Sequence, residues 1–92
     1  MTFKESTPKQ KKAIPLVASS TGQWLRIHQI PHGVTHAQFV RMGLAEGAKV
    51  KCLERLPGGT IVLQRNRQHI AIGHQLARQI LVVVVEKGEE KG

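Results

Sequence analysis

The chain has 92 residues, 40% of them apolar and 22% charged, enough for one domain with a modest core and too apolar for a disordered polymer. Fourteen Lys and Arg against six acids give a net charge of +8, a balance that favours anionic partners: nucleic acid, acidic protein surfaces or anionic lipid. A single cysteine, Cys52, excludes an internal disulfide and a cysteine-cluster zinc site, and the longest apolar run, Ile80 to Val85, is far short of the ~20 residues of a membrane-spanning helix.

Residues 1–12, MTFKESTPKQKK, are polar, Lys-rich and unpatterned, which predicts a flexible basic N-terminal arm. No apolar stretch follows its basic residues, so no signal peptide is expected. Thr21-Gly22 is a turn, and Gln23 to Ile30 then reads as a strand. Leu25 and Ile27 share its inner face, with Trp24, Arg26 and His28 on the outer one. Pro31-His32-Gly33 breaks the strand before a short helix.

That helix lies in THAQFVRMGLAEG, residues 35–47. Thr35 as N-cap with Gln38 three residues later forms a capping box, and Val34 against Phe39 forms a hydrophobic staple. Gly43 is placed for a left-handed stop, with Leu44 folding back on Phe39. Two helical turns are not stable alone in water, so the helix must dock on the remaining structure.

Lys49 to Leu56 reads as a second strand, Val50 and Cys52 inward and Lys51 outward, with Leu53 and Leu56 spoiling the alternation as a bulge or a covered outer face would. Pro57-Gly58-Gly59 signals a hairpin into a third strand, Thr60 to Arg65. Asn66-Arg67 turns the chain into a fourth, Gln68 to Ile72, since Asn tolerates positive φ. Gly73 precedes a short helix over His74 to Gln79, with Ala77 and Ile80 inward. Leu81 to Val85 is a final strand, apolar throughout as if covered on both faces. Five short strands and two small helices predict a mainly β domain over residues 13–86, best arranged as a small barrel because closure hides strand edges. Residues 87–92 are expected to be a flexible C-terminal tail.

Candidate chemistry is sparse. Glu46 and Glu54 are the only carboxylates from Ala13 to Val85, and no hydroxyl or thiol sits in a motif with a base and an orienting group, so an enzyme is not expected. Cys52 alternates inward and reads as an inert core thiol. His28, His32 and His36 are spaced by four, but Pro31 and Gly33 interrupt any common helix face, and Gly73 separates His69 from His74. No metal site and no cofactor are therefore predicted. Lys49, Lys51 and Arg55 on strand two, with Arg65 and Arg67 near the next turn, form a basic face that makes a nucleic-acid-binding barrel the runner-up. Trp24 is the only aromatic positioned to stack a base, which ranks nucleic acid below a merely solvated basic surface or an acidic protein partner. Lys4, Lys9, Lys11 and Lys12 of the arm suit weak contact with an anionic inner leaflet.

The order of these features resembles the ferrous iron transport protein A (FeoA) family. The resemblance covers roughly Pro15 to Val85. Its strongest part is FVRMGLAEGAKVKCLERLPGGTIVL, similar to the family's Leu-x-x-Met-Gly-Leu-x-x-Gly, strand, Pro-Gly hairpin and strand. HIAIGHQLARQILVV is similar to the family's closing segment. The same signature occurs in the C-terminal SH3-like domain of iron-dependent repressors, but no helix-turn-helix precedes it here, which favours the free-standing form. Departures are His36, Ala37 and Gln38 where the family is usually basic, Glu46 in place of a usual Pro, and Asn66-Arg67 in place of a turn Gly. An electrostatic contact at the helix is therefore not carried over.

The resemblance implies an SH3-like barrel and a cytoplasmic adaptor, peripheral at the inner membrane, that binds and modulates the cytoplasmic part of the FeoB transporter without chemistry of its own. SH3-like barrels dock partners in a shallow groove between loops. The expected partner-binding residues are Phe39, Arg41, Met42 and Leu44 at the helix end, Pro57, Gly58 and Gly59 at the hairpin tip, and Trp24 on the first strand. Phe39 and Leu44 also serve the helix stop, so a core role competes for them. The sequence leaves self-association open.

Overall fold

A computed structural model describes residues 12–86. The basic arm, apart from Lys12, and the tail over 87–92 lie outside the described residues. Six antiparallel strands make one sheet: β1 (Ala13–Pro15), β2 (Trp24–Gln29), β3 (Lys49–Arg55), β4 (Ile61–Arg65), β5 (Gln68–Ile72) and β6 (Leu81–Val85). Their spatial order is β1-β6-β2-β3-β4-β5. Two short helices, α1 (Val34–Arg41) and α2 (His74–Ala77), interrupt the strands. The mainly β, SH3-like expectation holds, with six strands in place of five.

The additional strand is β1, followed by a 3-10 turn, Leu16–Ala18. Three residues ending in Pro15 carry no readable alternation, yet β1 runs antiparallel along β6 and covers the flank of the most aggregation-prone strand. Leu16 enters the core fully buried, and its N–H donates to the carbonyl of Ile80 at 2.8 Å. Ser19 is buried behind it, its hydroxyl donating to the Leu16 carbonyl at 2.7 Å. Among the described residues no ladder joins β5 to β1. The helical turns that follow these edge strands pack on each other instead, α2 against the 3-10 turn.

One cluster of buried side chains forms the core. Leu25 and Ile27 come from β2, Val50 and Cys52 from β3, Ile61 and Leu63 from β4, and Val82 from β6. Phe39 of α1 and Ala77 of α2 join it. With one Trp and two Phe in the chain, aliphatic side chains carry this core. Strand β6 is less enclosed than its run of valines suggested: Val82 and Val85 are buried, while Leu81, Val83 and Val84 are half-buried.

The turn signals act as read. Gly58 and Gly59 at φ +93° and +95° carry the β3–β4 hairpin, closed by the Leu56 N–H on the Thr60 carbonyl at 2.8 Å. The register of β3 on β4 shifts between Cys52 and Glu54, so Leu53 is the bulge. Asn66 at φ +55° makes the two-residue turn that sets Arg65 opposite Gln68. The second small helix stops at Ala77, two residues earlier than expected.

Helix α1 departs from expectation at its start. It begins at Val34, so Gly33 occupies the N-cap and Thr35 is already the second helical residue. The capping box and the staple, both defined by position relative to the cap, fall with that shift. Its other end matches the reading in full. Gly43 takes φ +85°, its N–H donates to the Val40 carbonyl at 3.0 Å, and the Leu44 N–H donates to Phe39 at 2.9 Å. These are the two bonds of a Schellman stop, and Phe39 and Leu44 are both buried beneath it.

Candidate partner-binding site

Alternation along β2 buries Leu25 and Ile27 and turns Trp24 to the outer face. The ladders then set its neighbours. Trp24 pairs with Lys51 of β3, and Lys51 with Gln64 of β4, so three outer side chains line up across three strands. Lys49 follows on the same face of β3, opposite Arg26. The ammonium groups of Lys49 and Lys51 lie 5.0 and 5.6 Å from the Trp24 ring centroid, within the range of cation–π attraction.

The turn after β4 supplies the rim. Trp24, Lys49, Lys51, Gln64, Arg65 and Asn66 enclose an open groove of about 450 Å³. The Gln64 amide donates to the Asn66 carbonyl at 3.3 Å, which holds that side chain along the strand. The Nε–H of Arg65 donates to the carbonyl of Gly43, joining the groove to the stop of α1. A cation on that carbonyl also complements the negative end of the helix dipole. A Cβ on Gly43 would sit 3.1 Å from Arg65 Nε, so the glycine serves both the φ and the close approach.

The described residues that line the groove are cationic and amide-bearing, with no acid among them. The two carboxylates between Ala13 and Val85 lie elsewhere. Glu46 accepts the Ile30 N–H at 3.2 Å, and Glu54 sits past the bulge, opposite Val62. The arrangement suits recognition of an anion and carries no nucleophile held by a base. No group of three or more metal-ligating side chains occurs among the described residues. Cys52 is fully buried. His32 and His36 stack face to face, 5.6 Å between centroids, at the start of α1.

The residues singled out from the sequence separate into three places. Trp24 is half-buried in the groove wall. Arg41 is exposed and Met42 half-buried at the end of α1, a segment joined to the groove through Gly43 and Arg65. Phe39 and Leu44 are each 1% exposed, so they support this surface from beneath and offer none of it. Pro57 and Gly58 are exposed at the hairpin tip, where Gly59 lies against His74 of α2. The tip adjoins Ile61 and the groove adjoins Arg65, opposite ends of β4, about 14 Å apart at ~3.4 Å per residue. The helix end and the hairpin tip therefore do not form one patch.

Reading residues one strand at a time missed the groove as a unit. Lys49, Lys51 and Arg65 stood out only as basic residues, and Gln64 and Asn66 not at all. The signal was present in the turns. Asn66-Arg67 as a two-residue turn fixes the register of β4 on β5, and the Pro-Gly-Gly turn together with the bulge at Leu53 sets that of β3 on β4, which places Lys51 beside Gln64.

Comparison with known proteins gives a consistent picture. The model of the FeoA domain family matches residues 14–84. A crystal structure of an iron uptake regulatory protein (FeoA) is 31% identical, the match covering 80% of this chain and 100% of that one at a TM-score of 0.71. The iron(II) transport protein A from Clostridium thermocellum is 27% identical over 78% of this chain and 46% of its own, with a TM-score of 0.71. The FeoA protein from Chlorobium tepidum shares the fold at a TM-score of 0.72 and 21% identity, over 85% of this chain and 76% of that one. Among curated proteins no sequence matches.

Proposed function

The chain belongs to the FeoA family, whose members serve ferrous iron transport, and we propose that it is an accessory protein of bacterial ferrous iron uptake that binds and modulates the cytoplasmic part of the FeoB transporter. The observation that carries this reading is the family match across residues 14–84, nearly all of the described domain. An open groove on the outer sheet face supports a role in binding rather than in chemistry. The site of action is the cytoplasmic face of the inner membrane, where the Lys-rich arm adds attraction to anionic headgroups of about 1 kcal/mol per cation near the surface.

The test is direct binding of the full chain to the transporter's purified cytoplasmic GTP-binding domain, with its GTP hydrolysis followed in parallel. Saturable binding with a Kd in the micromolar range and an altered hydrolysis rate are the expected results. Absence of binding, combined with capture of single- or double-stranded oligonucleotides that weakens steeply with salt, would replace this reading by the nucleic-acid one.

A further inference from the structure

We propose that β5 is the edge through which two copies of this chain associate, His69, Ile70 and Ala71 pairing antiparallel with the same residues of a second copy about a two-fold axis at Ile70. Self-association of this kind stands apart from the transporter reading and does not depend on it.

The two edges of the sheet carry different kinds of residue. β1, at one end of the strand order, is three residues long, finishes in Pro15 and follows the exposed Lys12. Short length, proline and lysine all blunt an edge against further pairing. β5, at the other end, has none of these devices. Its five residues, Gln68 to Ile72, include no Pro, Gly, Lys, Arg or acid, and its register on β4 runs without a bulge. Such an edge is open to an added strand.

Backbone direction says which strand fits. Arg65 and Gln68 flank the two-residue turn as a hydrogen-bonded pair, and antiparallel alternation then makes Leu63–Ile70 and Ile61–Ile72 bonded pairs as well. The N–H and carbonyl of His69 and of Ala71 therefore point away from β4, on a side where no strand accompanies β5 among the described residues. About an axis at Ile70, each His69 faces Ala71 of the second copy, and the two exchange both backbone bonds. The side chains suit the same register. Exposed His69 stands beside the small, exposed Ala71 of the other copy. Ile70, half-buried against the core, meets its own equivalent on the axis as an aliphatic cross-strand pair. This symmetry, large opposite small on either side of one isoleucine, is what an isologous contact requires and favours a second copy over an unrelated strand.

A net charge of +8 opposes association. On β5 itself the opposition is diffuse. Arg67, the nearest cation along the chain, would lie opposite Gly73 of the second copy, ~20 Å from its own equivalent at ~3.4 Å per residue. That is more than two Debye lengths at physiological salt, so added salt should strengthen the pairing.

Sedimentation equilibrium of the full chain from about 10 μM to about 1 mM is the first measurement. The expected result is a mass rising from one chain toward two, with a Kd inside that range and several-fold tighter as salt is raised. Ala71→Pro deletes an outward N–H and no bond to β4, a change that an edge strand tolerates. Ala71→Lys leaves the backbone intact and adds a blunting charge. Each should weaken the dimer about tenfold or more. Circular dichroism and thermal unfolding confirm that the variants fold, and Ala71→Lys stands in if the proline variant does not. Disulfide trapping reads the register. Ile70→Cys brings two Cα atoms about 4.5 Å apart at the axis, within reach of a disulfide, while Gln68→Cys leaves them ~14 Å apart. The native thiol of Cys52 is fully buried and does not compete. Oxidation should yield a covalent dimer of the Ile70 variant and little of the Gln68 one. A chain still monomeric at about 1 mM overturns the proposal and leaves the edge to a terminal segment or a partner's strand. A dimer unchanged in the folded Ala71 variants, or equal trapping at the two positions, overturns it by moving the contact to another face.

Discussion

The two ends of α1 are held in opposite ways. At its C-terminus Gly43, the Schellman bonds, buried Phe39 and Leu44, and the Arg65 side chain all act on one turn. At its N-terminus Gly33 provides no capping side chain, and the His36 N–H reaches only the Gly33 carbonyl, at 3.0 Å. An eight-residue helix has little stability of its own. Its order is therefore imported through the C-terminal turn. That same turn leads through Arg65 to the groove, so the well-fixed end of the helix is the one beside the candidate binding surface.

The strongest challenge to this asymmetry is Phe39→Ala. It removes the largest fully buried side chain of the core and the contact beneath the helix stop. The expected loss is about 3–5 kcal/mol, read as a drop in the urea midpoint, and for a small domain that approaches global unfolding. A loss under 1 kcal/mol would mean that the C-terminal turn does not anchor the helix.

A finer comparison uses one substitution at each end. Gly43→Ala forces an L-residue to φ +85° and sets its Cβ 3.1 Å from Arg65 Nε. Strain and displacement of Arg65 together should cost about 2–3 kcal/mol. Gly33→Ala also meets an unfavourable φ, +103°, but its Cβ enters open space at an end where the helix can fray by a residue. Its expected cost is about 1 kcal/mol. Denaturation curves giving equal losses, or the reverse order, would remove the difference between the ends.

The same contrast explains what was legible in the sequence. Gly43 after an apolar Phe39, followed by Leu44, is a local pattern whose meaning does not depend on the rest of the chain, and it was readable. So were the Pro57-Gly58-Gly59 and Asn66-Arg67 turns and the inward Val50 and Cys52, while the broken alternation at Leu53 and Leu56 left a bulge and a covered outer face both open until the ladder placed the bulge at Leu53. The helix start differs from the sequence reading because Thr35 and Gln38 have the right chemistry at the right spacing, while the backbone is already helical at Val34. Strand β1 was invisible because three residues give no period and its reason for pairing lies about 70 residues away in β6. The groove was half visible. Alternation alone turns Trp24 outward, but its partnership with Lys49 and Lys51 exists only once β2 and β3 are in register. Arg65 bonds the Gly43 carbonyl from 22 residues away, a contact that no local spacing announces.

The smallest expected effect tests the misread end. With Gly33 at the N-cap, Gln38 is the fifth helical residue and exposed, two residues past the position from which a side chain reaches back to the cap N–H. Replacing it by Ala removes no capping bond and slightly improves helix propensity, so Gln38→Ala should change stability by no more than about 0.5 kcal/mol. The residue that covers this end is His32, whose ring stacks on His36 at 5.6 Å with only 4° between the planes. It stands where a hydrophobic staple would begin, and His32→Ala should cost about 0.5–1 kcal/mol through the lost ring contact. Thermal unfolding of the two variants side by side decides the point. A larger loss for Gln38→Ala than for His32→Ala would mean that the helix begins at a capped Thr35 after all.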